Sequence, residues 1–304
     1  MGLIPRVVAG GARLGSVLPD RLARHSRREQ QLRTLDALVD VGCTAFDLAA
    51  SYQLGGTERL FGQWMASPGL RERLFLIGKG GHPYPGLRLN RLTRAALSSD
   101  LHASLRRLRI QHLDLYLLHR DFPGAPLEPM VQALGEAHRA GKIRHWGVSN
   151  WACARIEAIQ AAARQEGLPP MAASSPHFSL VDWVRPPWTG SVSIAGPANR
   201  EARAFHARTQ LPVLAWSPLG SGFLTSKGSG GCYGSSANDT RRERVRALAR
   251  EKGWTVAQVA LAYLFSQPFP VSAVVAASTA EKMRENLAAA GLRLSPGEVQ
   301  ALEA

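Results

Sequence analysis

Cysteine is scarce in this sequence: three residues, at 43, 153 and 232, with no C-x-x-C spacing among them. That excludes a disulfide framework and a cysteine zinc site, and leaves thiols expected to be inert, at least two of them in helix or strand flanks. The H-E-x-x-H pair of a zinc hydrolase is missing, as is the G-x-G-x-x-G turn of a dinucleotide-binding doubly wound sheet. No apolar run approaches the roughly 18 residues of a membrane-spanning helix. The opening Met1-Gly2-Leu3-Ile4-Pro5-Arg6 has no long apolar stretch, as a signal peptide would, and no Ser or Thr at position 6, as myristoylation requires. A cytoplasmic address without membrane attachment is the expectation.

Lysine is rare as well, at 79, 142, 227, 252 and 282 only, although the formal net charge is +14. The positive charge is therefore mostly arginine, in pairs such as 27–28, 106–107 and 241–242 beside helical patterns. Spread in this way, it suits solvated outer faces and a general attraction for anionic small molecules, not a nucleic-acid track.

What the sequence does hold is a rhythm. Short apolar runs recur at 7–9, 45–49, 74–79, 113–119, 145–150, 171–175, 212–217 and 272–278. They are too short for helices and apolar on both faces, as strands covered on both sides must be. Amphipathic segments lie between them; Leu97, Leu101, Leu105 and Leu108 form one helical stripe. Gly42, Gly141 and Gly167 follow the patterns at 28–41, 127–140 and 151–166, where a helix C-terminus favours glycine. Eight strands alternating with helices, without a linker-like break, predict one (β/α)8 TIM barrel over 1–304. A doubly wound sheet is the runner-up. A long loop is expected at about 178–198 and a flexible Gly/Ser-rich loop at about 226–238.

In such a barrel functional groups gather at the C-terminal strand ends. Those ends carry Asp47, Lys79, His119 and Ser149-Asn150, with Tyr52 five residues past Asp47. Lys79 closes the apolar run Leu74 to Gly78, so its buried ammonium needs a counter-ion, and Asp47 on the neighbouring strand is the nearest. A plain salt bridge between two strands would use the same pair. Tyr52 shifts the balance toward chemistry: an adjacent ammonium favours phenolate, which makes the phenol easier to deprotonate and a usable general acid or base. His119 ends Leu113 to Leu118, where a lone histidine would more often be a core residue, but here it shares a rim with three other polar groups. A metal is not expected, because Lys79 would repel a cation among them.

These residues resemble the aldo-keto reductases. Phe46-Asp47-Leu48-Ala49-Ala50-Ser51-Tyr52 looks like that family's F-D-T-A-x-x-Y motif, continued by Glu58 and Gly62. Ile77-Gly78-Lys79 is similar to its lysine strand and Asp114 to His119 to its histidine strand. Gly147-Val148-Ser149-Asn150 matches G-V-S-N, Ala215 to Gly222 resembles A-Y-S-P-L-x-x-G, and the stretch up to Glu285-Asn286-Leu287 is like the last cofactor segment. The likeness runs in order along nearly the whole chain. It implies a barrel holding an extended nicotinamide dinucleotide, with Tyr52 giving a proton to the substrate oxygen, Lys79 and Asp47 tuning it, and His119 orienting the carbonyl. Ser149, Asn150 and Ser175 would meet the carboxamide and Trp216 the nicotinamide ring. Ser217, Leu219, Gly222, Ser278, Thr279, Lys282, Glu285 and Asn286 would serve the rest of the cofactor.

Departures from the pattern bear on that cofactor. Leu48 stands where Thr is usual, Gln53 where Gly is common, and Ser175 where a Gln usually contacts the carboxamide. Serine is shorter, so that contact is expected to weaken or become water-bridged. Position 278 is Ser and not basic, while Lys282 occupies another 2′-phosphate position, which favours NADP over NAD. Phe178, Trp183, Trp188, Tyr84 and Phe122 either line an apolar substrate pocket or pack the loop onto the barrel. The expected function is an NADP-dependent oxidoreductase acting on a small carbonyl or alcohol. The alternative is a cofactor-binding regulatory or accessory subunit of the same fold. The oligomeric state stays open.

Overall fold

Alternation along each strand decides where the side chains go, because successive residues point to opposite faces. In the computed structural model, which describes residues 3–17, 25–83, 89–225, 231–276 and 279–304, eight parallel strands close into a barrel. They are β1 (Val7–Gly10), β2 (Ala45–Asp47), β3 (Phe75–Gly80), β4 (Leu113–Leu118), β5 (Ile143–Ser149), β6 (Ala173–Ser175), β7 (Val213–Trp216) and β8 (Val271–Val275), with β8 pairing back onto β1. The TIM-barrel expectation holds, and the doubly wound alternative falls with the closure.

The core divides into two layers. Val8, Ala45, Ile77, Leu115, Leu117, Ala173, Leu214 and Val274 pack together inside the barrel. Their strand neighbours, among them Phe46, Leu76, Tyr116, Leu118, Trp146, Val148 and Ala215, pack in the larger cluster shared with the helices. Ten α-helices occur among the described residues: α1 (His25–Asp40), α2 (Gly56–Trp64), α3 (Arg94–Leu108), α4 (Glu128–Arg139), α5 (Cys153–Gln165), α6 (Arg200–Thr209), α7 (Ser236–Lys252), α8 (Val256–Phe265), α9 (Ala280–Ala288) and α10 (Pro296–Glu303). Gly42, Gly141 and Gly167, with φ of 96°, 66° and 74°, follow α1, α4 and α5 as the helix-stop reading requires.

Gly62 explains itself by close approach. A Cβ there would sit 2.2 Å from the Arg107 carbonyl oxygen, so only glycine lets α2 rest on α3. The same contact is locked by buried Glu58, which accepts from Arg107 Nε at 2.6 Å. Strand limits differ from the apolar runs. β5 begins at Ile143, two residues early, because its exposed Arg144 interrupts the run without interrupting the strand. β2 stops at Asp47, where the chain turns toward the site.

The flexible loop expected at 226–238 needs correction in its second part; residues 226–230 lie outside the described ones. From Gly231 the chain forms a 3-10 turn, Tyr233 is buried, and the Ser235 side chain caps α7. Tyr233 is the reason: its hydroxyl meets the buried His177 imidazole at 3.1 Å and ties the turn to the barrel.

Candidate active site

Continuing each inward row by one more step reaches the rim. Asp47 lies two residues after Ala45, Lys79 two after Ile77, His119 two after Leu117, Ser175 two after Ala173 and Trp216 two after Leu214. The polar rim is thus the top layer of the barrel interior, stacked on its apolar floor.

Tyr52 arrives by another route. Past β2 the backbone follows β3, with Leu48 N–H donating to Ile77 O at 2.8 Å and Ala50 N–H to Lys79 O at 3.0 Å. The chain then turns into a 3-10 segment that starts at Tyr52. Gln53 and Leu54 sit at φ of 49° and 51°, a left-handed conformation that explains why glycine is common after this tyrosine. Gln53 offsets part of the strain by donating its amide to Ala12 O at 3.2 Å.

Lys79 Nζ uses all three of its protons here. It donates to Asp47 Oδ2 at 2.6 Å, to Tyr52 OH at 2.9 Å and to the Leu48 carbonyl at 3.1 Å. An ammonium cannot accept, so the Tyr52 oxygen accepts from Lys79, and the phenol's own proton has to point elsewhere. The acceptor nearest that proton is Asp47 Oδ2 at 3.5 Å, at the limit of a hydrogen bond. Burial pushes the phenol above its ordinary value near 10; Lys79 pulls it down, and burial wins. The expected pull of Lys79 on the phenol is present, and burial, which the sequence does not show, outweighs it. The lysine itself is penalised by burial, yet Asp47 and Tyr52 raise it above its usual value, so it stays an ammonium.

The His119 ring stands edge-on to Tyr52, with centroids 5.8 Å apart, and its Nδ1 faces Ser51 Oγ at 3.4 Å. Burial, then the Lys79 charge, holds it well below the usual imidazole value, so it is neutral at pH 7. In the tautomer whose Nδ1 accepts from Ser51, Nε2 carries the proton and can donate. His82, just past β3, places its ring 4.8 Å from His119. Position alone did not single it out; the signal was its place three residues after Lys79.

The second group of expected residues gathers on β5, β6 and β7. Ser149 Oγ and Asn150 N–H both donate to the Ser175 carbonyl, at 3.0 and 3.1 Å. The Asn150 amide donates to Ser149 Oγ at 2.9 Å and to His119 O at 3.5 Å, and accepts from Val192 N–H at 3.3 Å. Ser175 therefore takes part through its backbone, and no described residue is bonded to its hydroxyl. Trp216 is half-buried, with its ring centroid 5.0 Å from His177, 5.7 Å from Trp183 and 5.8 Å from Trp188. Its indole N–H is buried without a partner.

Further round the rim, Ser217 has φ of 52° and its hydroxyl accepts from Ser221 at 3.3 Å, while Leu219 is partly buried on the core. Gly222 has φ of 93° and open space where a Cβ would be. Thr279 caps α9 by accepting from Lys282 N–H at 3.3 Å; Lys282 is exposed, Glu285 half-buried and Asn286 buried. Ser278 lies outside the described residues.

The aromatic pocket residues separate. Phe178 is fully buried against Tyr263 and Phe269, at 6.1 and 6.0 Å, and belongs to the core. Trp183 stacks on His177 at 4.5 Å, a packing role. Trp188 and Phe122 stay exposed on the rim, and Tyr84 lies outside the described residues. Sequence reading missed His177, whose imidazole joins Ser193 Oγ at 2.8 Å to Tyr233 and pins the 181–197 loop down. Only its contacts across 16 and 56 residues reveal that.

A family model described as "Aldo/keto reductase family" matches residues 6–304. Methylglyoxal reductase YeaE of Escherichia coli is 29% identical, over 91% of this chain and 85% of the relative. A thermostable aldo-keto reductase crystallised with the inhibitor epalrestat superposes with a TM-score of 0.77 at 26% identity, covering 99% of this chain and 94% of that one. An aldo/keto reductase from Klebsiella pneumoniae, solved with NADP and acetate, gives 0.73 at 27% identity, over 98% and 90%. With an eight-stranded barrel carrying Asp47, Tyr52, Lys79 and His119 on one rim, and a family model running from Arg6 to the last residue, the chain belongs to the aldo/keto reductase family.

Proposed function

We propose that this chain is an NADP-dependent oxidoreductase that reduces an aldehyde or ketone to its alcohol, or runs the reverse, with Tyr52 as general acid and base. The observation that carries the reading is the single ammonium of Lys79 bonded at once to the Asp47 carboxylate and the Tyr52 hydroxyl.

The residues present fit the cofactor. Open space at Gly222 would take a pyrophosphate close to backbone, and the unpartnered Trp216 indole lies beside the Ser149, Asn150 and Ser175 cluster as a ring-stacking platform. Lys282, exposed near the start of α9, would hold the 2′-phosphate, and NADP is the cofactor in the Klebsiella relative. Hydride donation to a carbonyl carbon is the chemistry NADPH supplies when bound.

Tyr52 then gives its proton to the carbonyl oxygen, and the Lys79 ammonium stabilises the phenolate left behind. Neutral His119 donates from Nε2 to the same oxygen and fixes its direction. Asp47 keeps Lys79 charged and aimed. In the reverse direction Tyr52 phenolate takes the alcohol proton.

The test is NADPH oxidation over a panel of aldehydes and ketones. Tyr52→Phe is expected to slow the chemical step by about 10²-fold or more while NADPH still binds. Equal rates in wild type and variant sink the mechanism. If neither protein turns over any member of the panel while both bind NADPH, the accessory-subunit reading takes its place.

A further inference from the structure

Arg120 directly follows His119, and its guanidinium crosses to the loop above the site. Nη1 donates to the Gly190 carbonyl at 3.0 Å and to Ser191 Oγ at 3.4 Å. Nε and Nη2, the edge that matches a carboxylate with two parallel bonds, are bonded to no described residue. No carboxylate among the described residues lies within ion-pair distance of this half-buried cation. Its neighbour Asp121 is held by Arg155 at 3.1 Å.

Four other shielded arginines each hold a carboxylate, while half-buried Arg203, away from the tetrad, donates to the Ile194 and Gly196 carbonyls. Arg71 pairs with Asp114, Arg91 with Asp100, Arg107 with Glu58 and Arg241 with Asp182. Burying a guanidinium without a counter-ion is costly, and burial holds Arg120 below its ordinary value. Its charge reaches the reacting groups: it favours Tyr52 phenolate and disfavours the charged forms of His119 and His82. Lys79 is compensated by Asp47, whereas Arg120 has no carboxylate partner among the described residues. His82, neutral because burial lowers it and with Nδ1 against Pro83 O at 2.7 Å, adds no counter-charge. Exposed Trp188, on the same loop as the Gly190 carbonyl that Arg120 bonds, lies 5.8 Å from Trp216 and brings apolar surface to the rim, and Phe122 is exposed two residues past Arg120.

We propose that Arg120 is a specificity residue that takes the carboxylate of an anionic carbonyl substrate, so that the preferred substrates are carbonyl compounds bearing a carboxylate next to an apolar group. The proposal rests on the reductase reading for its carbonyl and on Arg120 alone for its anion. It involves no bond formation beyond the reduction already described.

Two matched probes test it: 4-carboxybenzaldehyde and its methyl ester, each reduced with NADPH by wild type, Arg120→Gln and Arg120→Lys. Wild type is expected to prefer the acid through a lower KM. Arg120→Gln should lower the acid-to-ester ratio of kcat/KM about tenfold, the worth of one charge-assisted contact, and Arg120→Lys should restore part of it. A wild type that prefers the ester, or a ratio unchanged in Arg120→Gln, overturns the proposal. Titration of the NADP-loaded protein with benzoate and benzamide, followed by tryptophan fluorescence, separates the two readings. If neither aldehyde turns over but benzoate binding weakens about tenfold in Arg120→Gln, the reductase reading falls and the anion site stands. If benzoate and benzamide bind alike in wild type, the anion site falls whatever the turnover.

Discussion

At the ends of β2, β3 and β4, one ammonium is bonded to three oxygens within 3.1 Å, and each partner lies on an inward strand row or on a turn tracking β3. At the ends of β5 to β8 the contacts are longer and partly backbone, Ser175 acts through its carbonyl, and the Trp216 indole lacks a partner. The first corner is complete in the chain itself. The second carries the Ser175 departure from the family pattern, whereas Leu48 and Gln53 depart from it at the first. On the proposed function the first corner would carry the chemistry, held at the strand ends, and the second the cofactor, held by a mix of side-chain and backbone contacts.

The sharpest way to break the comparison is to remove the ammonium. Lys79→Met leaves the Asp47 carboxylate buried and uncompensated, both side chains being under a tenth exposed. The expected loss is about 3–5 kcal/mol of stability in urea, with loss of turnover. A loss below about 1 kcal/mol would mean that Asp47 finds another partner and the corner is not self-contained.

On the other side of the rim, Asn150→Gly keeps the left-handed backbone at φ of 61° without strain and deletes only the amide. Three contacts go, to Ser149, His119 and Val192, so about 1–3 kcal/mol of stability should be lost. NADPH should bind about tenfold more weakly. Unchanged NADPH binding would detach Asn150 from the cofactor.

Much of this was legible because strand alternation is strict. Once eight apolar runs are placed, Asp47, Lys79, His119, Ser175 and Trp216 follow as the residues one step above the inner apolar row. Local sequence cannot assign contacts between distant segments. Phe178 reads as a loop aromatic yet fills the core against Tyr263 and Phe269, and His177 takes its meaning from Ser193 and Tyr233. Arg120 was hidden by the number of arginines; what distinguishes it is its place directly after His119 with no carboxylate among the described residues bonded to it, which only the folded chain shows.

Lys282→Ala makes a smaller test of the cofactor side. The residue is exposed, so stability should not change, and NADPH affinity should fall about fivefold while NADH affinity stays level. Parallel losses for both would remove Lys282 from the 2′-phosphate.

The smallest expected effect is a flat line, and it decides between burial and the ammonium at Tyr52. On the proposed mechanism, reduction needs the protonated phenol and a neutral His119. Burial holds Tyr52 above its ordinary value near 10 and His119 well below 6.5. Between about pH 7 and 9 both groups are therefore already in the required form, and the chemical step of reduction should not change. It falls only as pH rises through the raised tyrosine value, while alcohol oxidation, which needs phenolate, climbs about tenfold per unit below that value. Were the Lys79 charge stronger than burial, the tyrosine would titrate below 10 and reduction would already decline within that window. Single-turnover rates across the range distinguish the two, and a decline would show that the buried corner favours phenolate over phenol.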